Sequence, residues 1–423
     1  MALKATPSTA KQTIVLGAGI VGVSIAWHLA QRGRQVLLLD RRPPGQETSF
    51  GNAGIIQREA IAPYAFPRDV KTILKVLPNR RIDIRYRPTG MVAAANPLFS
   101  YWLNSLPYRY RKIVPEYGSI IALCTDEHDP MIQAANAQHL VQKKGWLQLY
   151  RTRAAFDKAM QEGEQARTMG AEWEALTRTD IDHLQPGLSS AITGAIHWQN
   201  SWTVQSPGEL VQAYARHAES LGVVFAEAEL RGITPAGSGW HVTTSEGDHS
   251  ADEVVVALGP WSQQYLAPLG YAFPLFVKRG YHMHYHQPQA KHEALNYWLM
   301  DSEKGYLLEP MKHGIRLTTG AELANLEAPP SYSQLDAAER EARKLFAIGE
   351  RADPTPWKGA RPCLPDMKPI IGAAPKHRGL WLAFGHGHQG FTLGPPTGRL
   401  LAEMMTGEPT TIDMQPFRAE RFR

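Results

Sequence analysis

The 423 residues exceed the length at which one core keeps growing, so two domains are expected, and an apolar fraction of 43% can fill both. Against 40 Asp and Glu, 45 Lys and Arg leave a net charge of +5; it is spread along the chain, which suits a phosphate-bearing cofactor or a small anionic substrate, and no basic block marks a nucleic-acid partner. Only Cys124 and Cys363 occur, in no paired motif, which argues against a disulfide framework or a cysteine zinc site and fits a reducing compartment.

The opening MALKATPSTAKQ lacks the apolar core of a secretory signal, and no run of about eighteen apolar residues follows. A cytoplasmic protein without a transmembrane segment is expected, with peripheral contact at the inner face of a membrane left open. Residues 13–16 then form a short apolar strand, and GAGIVG follows from Gly17 to Gly22. Residues 20–31 carry Ile25, Ala26 and Leu29 at helical spacing before Gly33 stops them, and 35–39 is a second buried strand that ends at Asp40. In this βαβ unit Gly17 permits a tight turn, Gly19 lets the backbone approach a pyrophosphate, and Gly22 lets the helix lie close on its strand. The helix N-terminus offers N–H groups to phosphates and Asp40 suits a ribose hydroxyl. The motif implies a bound dinucleotide without separating NAD from FAD. ETSFGNAGII, residues 47–56, places hydroxyls, an amide and two glycines after the second strand, as a flavin lying extended across the domain needs; an ordinary capped loop is the alternative.

Residues 82–199 change to scattered aromatic and polar texture, with a strand at 146–150 and a helix around 154–169. The helix expected over 206–222 has Ser206 as N-cap, Pro207 in its first turn, Glu209 at the capping-box position and Gly222 as its stop. Buried strands return at 222–226 and 252–259, alternating antiparallel ones at 276–286 and 305–320, a helix at 333–348, a strand at 380–384, and a helix at 399–406 closed by Gly407. His282, His284 and His286 share one face of their strand; a metal site and a polar strand face both fit, and no carboxylate or cysteine accompanies them at ligand spacing, so no metal is expected. The fold class is therefore an α/β Rossmann-like domain with a parallel sheet and GxGxxG turn, FAD-binding if the loop at 47–56 serves a flavin, plus a discontinuous α+β substrate domain with a mainly antiparallel sheet. Residues 12–84, 200–272 and 352–423 are assigned to the first, and 85–199 with 273–351 to the second.

In this order and spacing, GAGIVGVSIAWHLAQRG, ETSFGNAG, VVVALGPWS, GARPCLPDMKPIIG and GHGHQGFTLGPPTGRLLAEMMTG resemble the FAD-dependent D-amino acid dehydrogenases. Their superfamily includes D-amino acid oxidase, glycine oxidase and sarcosine oxidase. The resemblance implies a non-covalent FAD, an amino acid substrate, and oxidation of a D-amino acid to an imino acid that hydrolyses to a 2-oxo acid and ammonia. It places Gly17, Ala18, Gly19, Val21 and Gly22 at the phosphates, Asp40 with Arg41 at the adenosine, and Thr48, Ser49, Asn52, Ala53 and Gly54 beside the flavin. Leu230 falls at a backbone contact to the adenine, and Gly259 and Trp261 in the turn after the next strand. Arg361 matches the arginine that grips the substrate carboxylate, where its planar fork gives two parallel charge-assisted hydrogen bonds. Tyr306 matches a tyrosine sharing that carboxylate. Sarcosine oxidases attach their flavin through a cysteine at the position of Gly359, so dissociable FAD is expected here.

A flavin is long, and the closing motif supplies its far end: Gly385, Gly387 and Gly390 let backbone lie against the ring, His386 and His388 touch flavin or substrate, and Thr397 caps a helix starting near Gly398 whose N-terminus faces the ring. Tyr281, Trp202 and Trp298 are expected as pocket walls. Hydride leaves the α-carbon for flavin N5, so no strong acid or base is demanded. The substrate can be cyclic, such as D-proline or a hydroxyproline isomer; N-methyl or other secondary amino acids are the alternative. An FAD-binding electron-transfer subunit and an NAD-dependent dehydrogenase are readings of other classes. The electron acceptor is oxygen or a quinone.

Overall fold

The computed structural model describes residues 11–288 and 294–422, so most of the opening segment lies outside the described residues. Its first sheet runs, edge to edge, Val224–Glu227, Gln35–Asp40, Gln12–Leu16, Glu253–Val256, Leu380–Phe384 and Ile370–Ala373; every pairing is parallel except the last. Continuous Val, Ile and Leu runs make its central strands because both faces are covered. An antiparallel meander of Leu230–Ala236, Gly239–Thr244 and Gly247–Ala251 covers one face, sending Trp240 and Val242 into a core with Ile14 and Leu16. Only its flanking strands are evident from sequence.

The second sheet has ten strands and is mainly antiparallel. Its path is Ile84–Tyr86, Ala321–Leu323, Phe276–Tyr285, Gly314–Thr318, Tyr306–Met311, Leu299–Asp301, Trp146–Tyr150, Gly194–Trp198 and Trp173–Leu176, with Trp357–Cys363 also paired to Phe276–Tyr285. Two expected segment edges need correction. Trp357–Cys363 belongs to this sheet although residues from 352 onward were assigned to the first domain. Helices Pro107–Ile121 and Cys124–Ala134, assigned to the second, send Ile120, Ile121, Met131 and Ile132 into the core formed by the first domain's helices. Pro115 and Pro130 inside those helices masked their periodicity.

Ser206 does cap helix Pro207–Ser220 by position, but no side-chain cap bond forms, and Glu209 pairs with Lys312 Nζ at 2.8 Å instead of closing a capping box. The larger correction is at the other end. The closing helix spans Gly390–Thr406 and begins nine residues before the expected start, so Thr397 lies buried within it and caps nothing. Gly394 and Gly398 make room: a Cβ at Gly394 would meet Ile20 at 2.8 Å, and one at Gly398 would meet the backbone of Ser24 at 2.6 Å. Helix Ile20–Gln31 thus lies nearly in backbone contact with it.

Pro395 inside that helix has no N–H for the carbonyl of Phe391. The buried His128 replaces it: Nε2 lies 3.1 Å from Phe391 O as donor, and Nδ1, 3.1 Å from the Tyr214 hydroxyl, accepts. Burial holds His128 down to about 4, so the imidazole stays neutral with one donor and one acceptor. His128→Phe removes the donor and leaves a buried carbonyl unpaired; urea unfolding is expected to show a loss of about 1–3 kcal/mol. His128→Gln, which can still donate, should lose less. Equal stability of His128→Phe and the parent would remove this role.

Candidate active site

One cavity of about 1230 Å³ runs from the first glycine turn to the closing one. At one end Gly17 has φ +105°, and a Cβ there would meet Ala257 O at 2.5 Å. A Cβ at Gly22 would meet Gly17 O at 1.8 Å, so the helix can start only where a hydrogen stands. Gly19 is open except for Ser49 Oγ at 3.4 Å from its Cβ position. Asp40 Oδ2 accepts the Ala18 N–H at 2.6 Å, and burial raises this carboxyl despite the backbone bonds from Ala18 and Arg42. Arg41 pairs with Glu47 at 2.9 Å and lies 4.4 Å above the Trp261 ring. Leu230 and Gly259 line the same end; the Leu230 carbonyl accepts the Tyr265 hydroxyl at 2.8 Å.

The loop at 47–54 forms the middle of the wall and is held from three sides. Ser49 Oγ accepts the Ile20 N–H at 3.0 Å, Trp298 Nε1–H donates to Ala53 O at 2.9 Å, and Arg316 Nη1–H donates to Asn52 O at 2.6 Å. Thr48 and Asn52 line the cavity, while Gly54 turns the chain at φ +71° behind it and donates to Asn52 Oδ1 at 2.8 Å. Arg316 is itself placed by His284: its Nε–H meets His284 Nε2 at 3.0 Å, and His284 Nδ1 lies 2.6 Å from Asp353 Oδ2. His282 stacks on Trp357, ring centroids 4.8 Å apart. Two of the three alternating histidines are therefore committed to supporting this wall, and His286 is exposed. The Trp357 ring also occupies the space over Gly51 and Gly359, where Cβ atoms would approach it to 2.1 and 1.9 Å. A cysteine at 359 has no room.

At the far end Arg361 lies across Gly280, where a Cβ would meet its Nη2 at 2.6 Å. Its Nη1 donates to Gly320 O at 2.9 Å and Nη2 to Thr319 O at 3.4 Å. Among the described residues no carboxylate stands within ion-pair distance, and burial lowers the guanidinium from its ordinary value. Glu309, buried nearby and accepting the Thr318 hydroxyl at 2.9 Å, is pushed up to about 8 by burial, against the pull of Arg316 and Arg361. Gly385, Gly387 and Gly390 line this end with His386 and His388. His386 Nε2 meets Thr397 Oγ1 at 3.0 Å; the His388 ring faces Tyr64 at 4.9 Å. Burial holds both histidines near 3, His388 with help from the charges of Arg361 and Lys278.

Of the expected site residues, Ala18, Gly22 and Gly54 stand just behind the cavity wall, and Val21 lines it. Tyr306 is misplaced by the expectation. Alternation along Tyr306–Met311 turns Leu307 to the cavity and Tyr306 away, into a core with Leu308 and Leu317, where its hydroxyl lies near Asp301 and Arg151 and burial raises it. Trp202 and Trp298 are not wall residues either, and the Tyr281 hydroxyl is committed to the buried Arg279–Glu322 pair. Sequence reasoning passed over Lys278 and Trp357. Both lie on strands whose register joins them to Arg361 and the histidines, and no local motif announces that pairing.

The family model described as FAD dependent oxidoreductase matches residues 12–404. A D-amino-acid oxidase of Bradyrhizobium diazoefficiens is 28% identical, the match covering 97% of this chain and 99% of that protein. A D-amino acid dehydrogenase of Cereibacter sphaeroides is 30% identical over 97% and 95%. Among solved structures, glycine oxidase from Geobacillus kaustophilus has a similar fold at a TM-score of 0.72 and 22% identity, covering 97% and 98% of the two chains. L-proline dehydrogenase from P. horikoshii gives 0.71 at 18% identity, covering 98% of each. No helix among the described residues is long and apolar enough to cross a membrane.

The neutral histidines at the far end set a pH dependence. Unfolded, each titrates near about 6.5; folded, His386 does so near 3. Between these values the unfolded chain binds the extra proton, so this residue's contribution to stability is complete above about pH 6.5 and falls as pH drops towards 3. Thermal midpoints of the parent and His386→Asn should therefore converge as pH is lowered from 8 to 4.5. A constant difference over that range would refute a neutral buried His386.

Proposed function

The chain belongs to the FAD dependent oxidoreductase family, and from that premise we propose that it oxidises the α-carbon of a D-amino acid to the imino acid. It is an FAD enzyme acting on amino acids. The residues present fit that cofactor: an open cradle at Gly17–Gly19, an acid at Asp40, a long cavity past Thr48 and Asn52, and a second glycine turn at its end. We assign the phosphates to Gly17, Ala18, Gly19, Val21 and Gly22, the adenosine to Asp40, Arg41, Leu230, Gly259 and Trp261, and the ring to the loop from Thr48 to Gly54 with Gly385, Gly387 and Gly390. Trp357 over Gly359 argues for a dissociable cofactor.

The observation that carries the substrate reading is Arg361, a buried cation in the cavity wall without a carboxylate partner among the described residues. Its two neutral hydrogen bonds to Gly320 O and Thr319 O fix the guanidinium plane and leave donors for a substrate carboxylate. With the carboxylate fixed, the α-hydrogen is presented in one direction, and only one enantiomer aims it at the acceptor. FAD held by the residues assigned above would supply that hydride acceptor. His386 and His388, neutral, line this end without adding charge, and no general base is required of them. The helix that starts at Gly390 brings the free N–H groups of its first turn to the same end, where they favour negative charge. The released imino acid hydrolyses in water to a 2-oxo acid and ammonia.

Anaerobic flavin bleaching by a panel of D- and L-amino acids tests the reading, with D-proline, a hydroxyproline isomer and N-methyl amino acids included to decide between primary and secondary amines. D-Amino acids should bleach the holoenzyme and their L-counterparts should not. Arg361→Ala should keep its FAD and lose about 2–5 kcal/mol of carboxylate binding, roughly 30-fold or more in KM. Bleaching by N-methyl amino acids alone would transfer the activity to secondary amines. No bleaching, with FAD still bound and reducible by dithionite, would make the chain an electron-transfer module.

A further inference from the structure

Arg361 is not the only unneutralised cation at the far end. Strands Phe276–Tyr285 and Trp357–Cys363 are antiparallel neighbours, and their register sets Lys278 directly opposite Arg361. Directly opposed residues face the same side of a sheet, and here that side is the cavity, which both residues line. Like charges so opposed repel each other, and a fold has no reason to keep both unless something negative stands between or above them.

Among the described residues the protein supplies no such group. No carboxylate lies within ion-pair distance of either side chain. Of the acids lining the cavity, Asp40, Glu47 and Glu229 belong to the opposite end, Asp83 is paired with Arg81 at 2.6 Å, and Glu327 is exposed. Glu309 sits close enough to feel Arg361, but it stands directly opposite Arg316 in the strand register, outside the cavity lining, and burial raises its carboxyl. Lys278 is held by aromatic faces: its Nζ stands 4.6 Å from the Tyr101 ring centroid and 5.7 Å from that of Phe276, with the Tyr101 hydroxyl at 3.5 Å. That hydroxyl donates to the Tyr64 carbonyl, which orders the ring under the ammonium. Aromatic faces position a cation without cancelling its charge, so its N–H donors stay available.

We infer that Lys278 binds a second carboxylate, and that the preferred ligands of this cavity are dicarboxylic amino acids, with Arg361 on the α-carboxylate and Lys278 on the side-chain carboxylate. This rests on the proposed amino acid oxidation for the identity of the substrate and names its class. It adds a residue that the resemblance does not assign, and it explains a cross-strand charge pair that would otherwise be a defect. A dianion relieves the repulsion of both cations in one binding event, and its neutral amide relieves only one.

Succinate and succinamate, alike in shape and differing by one charge, separate these cases by calorimetric titration of the FAD-loaded protein, without any turnover. Succinate should bind at least tenfold more tightly. In Lys278→Met the ratio should fall to within about twofold, and Lys278→Gln provides a second variant should the first fail to fold. D-Aspartate should likewise exceed D-asparagine in kcat/KM by tenfold or more. Equal binding of succinate and succinamate by the parent would overturn the inference, as would a ratio unchanged in both variants. Bleaching by D-alanine together with equal binding of the two probes removes this inference and leaves the oxidation standing. A succinate preference without bleaching by any D-amino acid removes the oxidation and keeps the dianion site.

Discussion

The close contact between helix Ile20–Gln31 and helix Gly390–Thr406 is the constraint on which the site depends. The first carries the Gly17–Gly22 turn at its N-terminus and the second carries the far-end turn at its own, so the separation of the two ends of the cavity follows from how these helices lie together. Their approach is set by absent side chains: Gly394 against Ile20 and Gly398 against Ser24. Thr392 adds a polar tie by accepting the Gln57 N–H at 3.2 Å and reaching Ile55 O at 3.3 Å, so the loop beside the middle of the cavity moves with the closing helix. A rigid elongated ligand needs its two ends fixed relative to each other, and one glycine-lined helix pair provides that.

Such packing has a cost, because a helix thin enough to lie against another is rich in residues that make poor helices. Gly394, Pro395, Pro396 and Gly398 all fall within three turns of the closing helix. His128 offsets part of this by donating where Pro395 cannot, and the Tyr214 hydroxyl, from helix Pro207–Ser220, donates to its other ring nitrogen. The helix Cys124–Ala134 is therefore a structural partner of the site although its residues lie far along the chain.

This explains what was and was not legible in the sequence. The opening βαβ unit was legible because its signals are local: an apolar strand, three spaced glycines, an amphipathic helix and a terminal acid. The parallel and antiparallel sheets followed from continuous against alternating apolar runs. The closing helix was misread because a glycine serving close approach has the same letter as a glycine serving a turn, and only the partner at Ser24 distinguishes them. Helices Pro107–Ile121 and Cys124–Ala134 were invisible for a related reason, since their prolines break the pattern while tertiary packing keeps the helix. Tyr306 failed on strand parity: a one-residue choice selects the face, and a resemblance carried residue by residue does not see the sheet.

The electrostatics of the cavity follow from the same economy of polar groups. Histidines that a sequence offers as acids, bases or ligands are spent on support: His284 orders Arg316, His386 meets Thr397 within the closing helix, and His128 repairs it. Burial lowers all three, His386 to about 3 and His128 to about 4, so those two stay neutral in the working pH range. At the far end Arg361 and Lys278 are placed opposite each other by strand register and surrounded by rings, backbone carbonyls and a glutamate whose carboxyl burial raises. In a desolvated setting the field of two such cations is weakly screened. At the far end, therefore, two cations face the cavity with no carboxylate of the described residues within ion-pair distance of either.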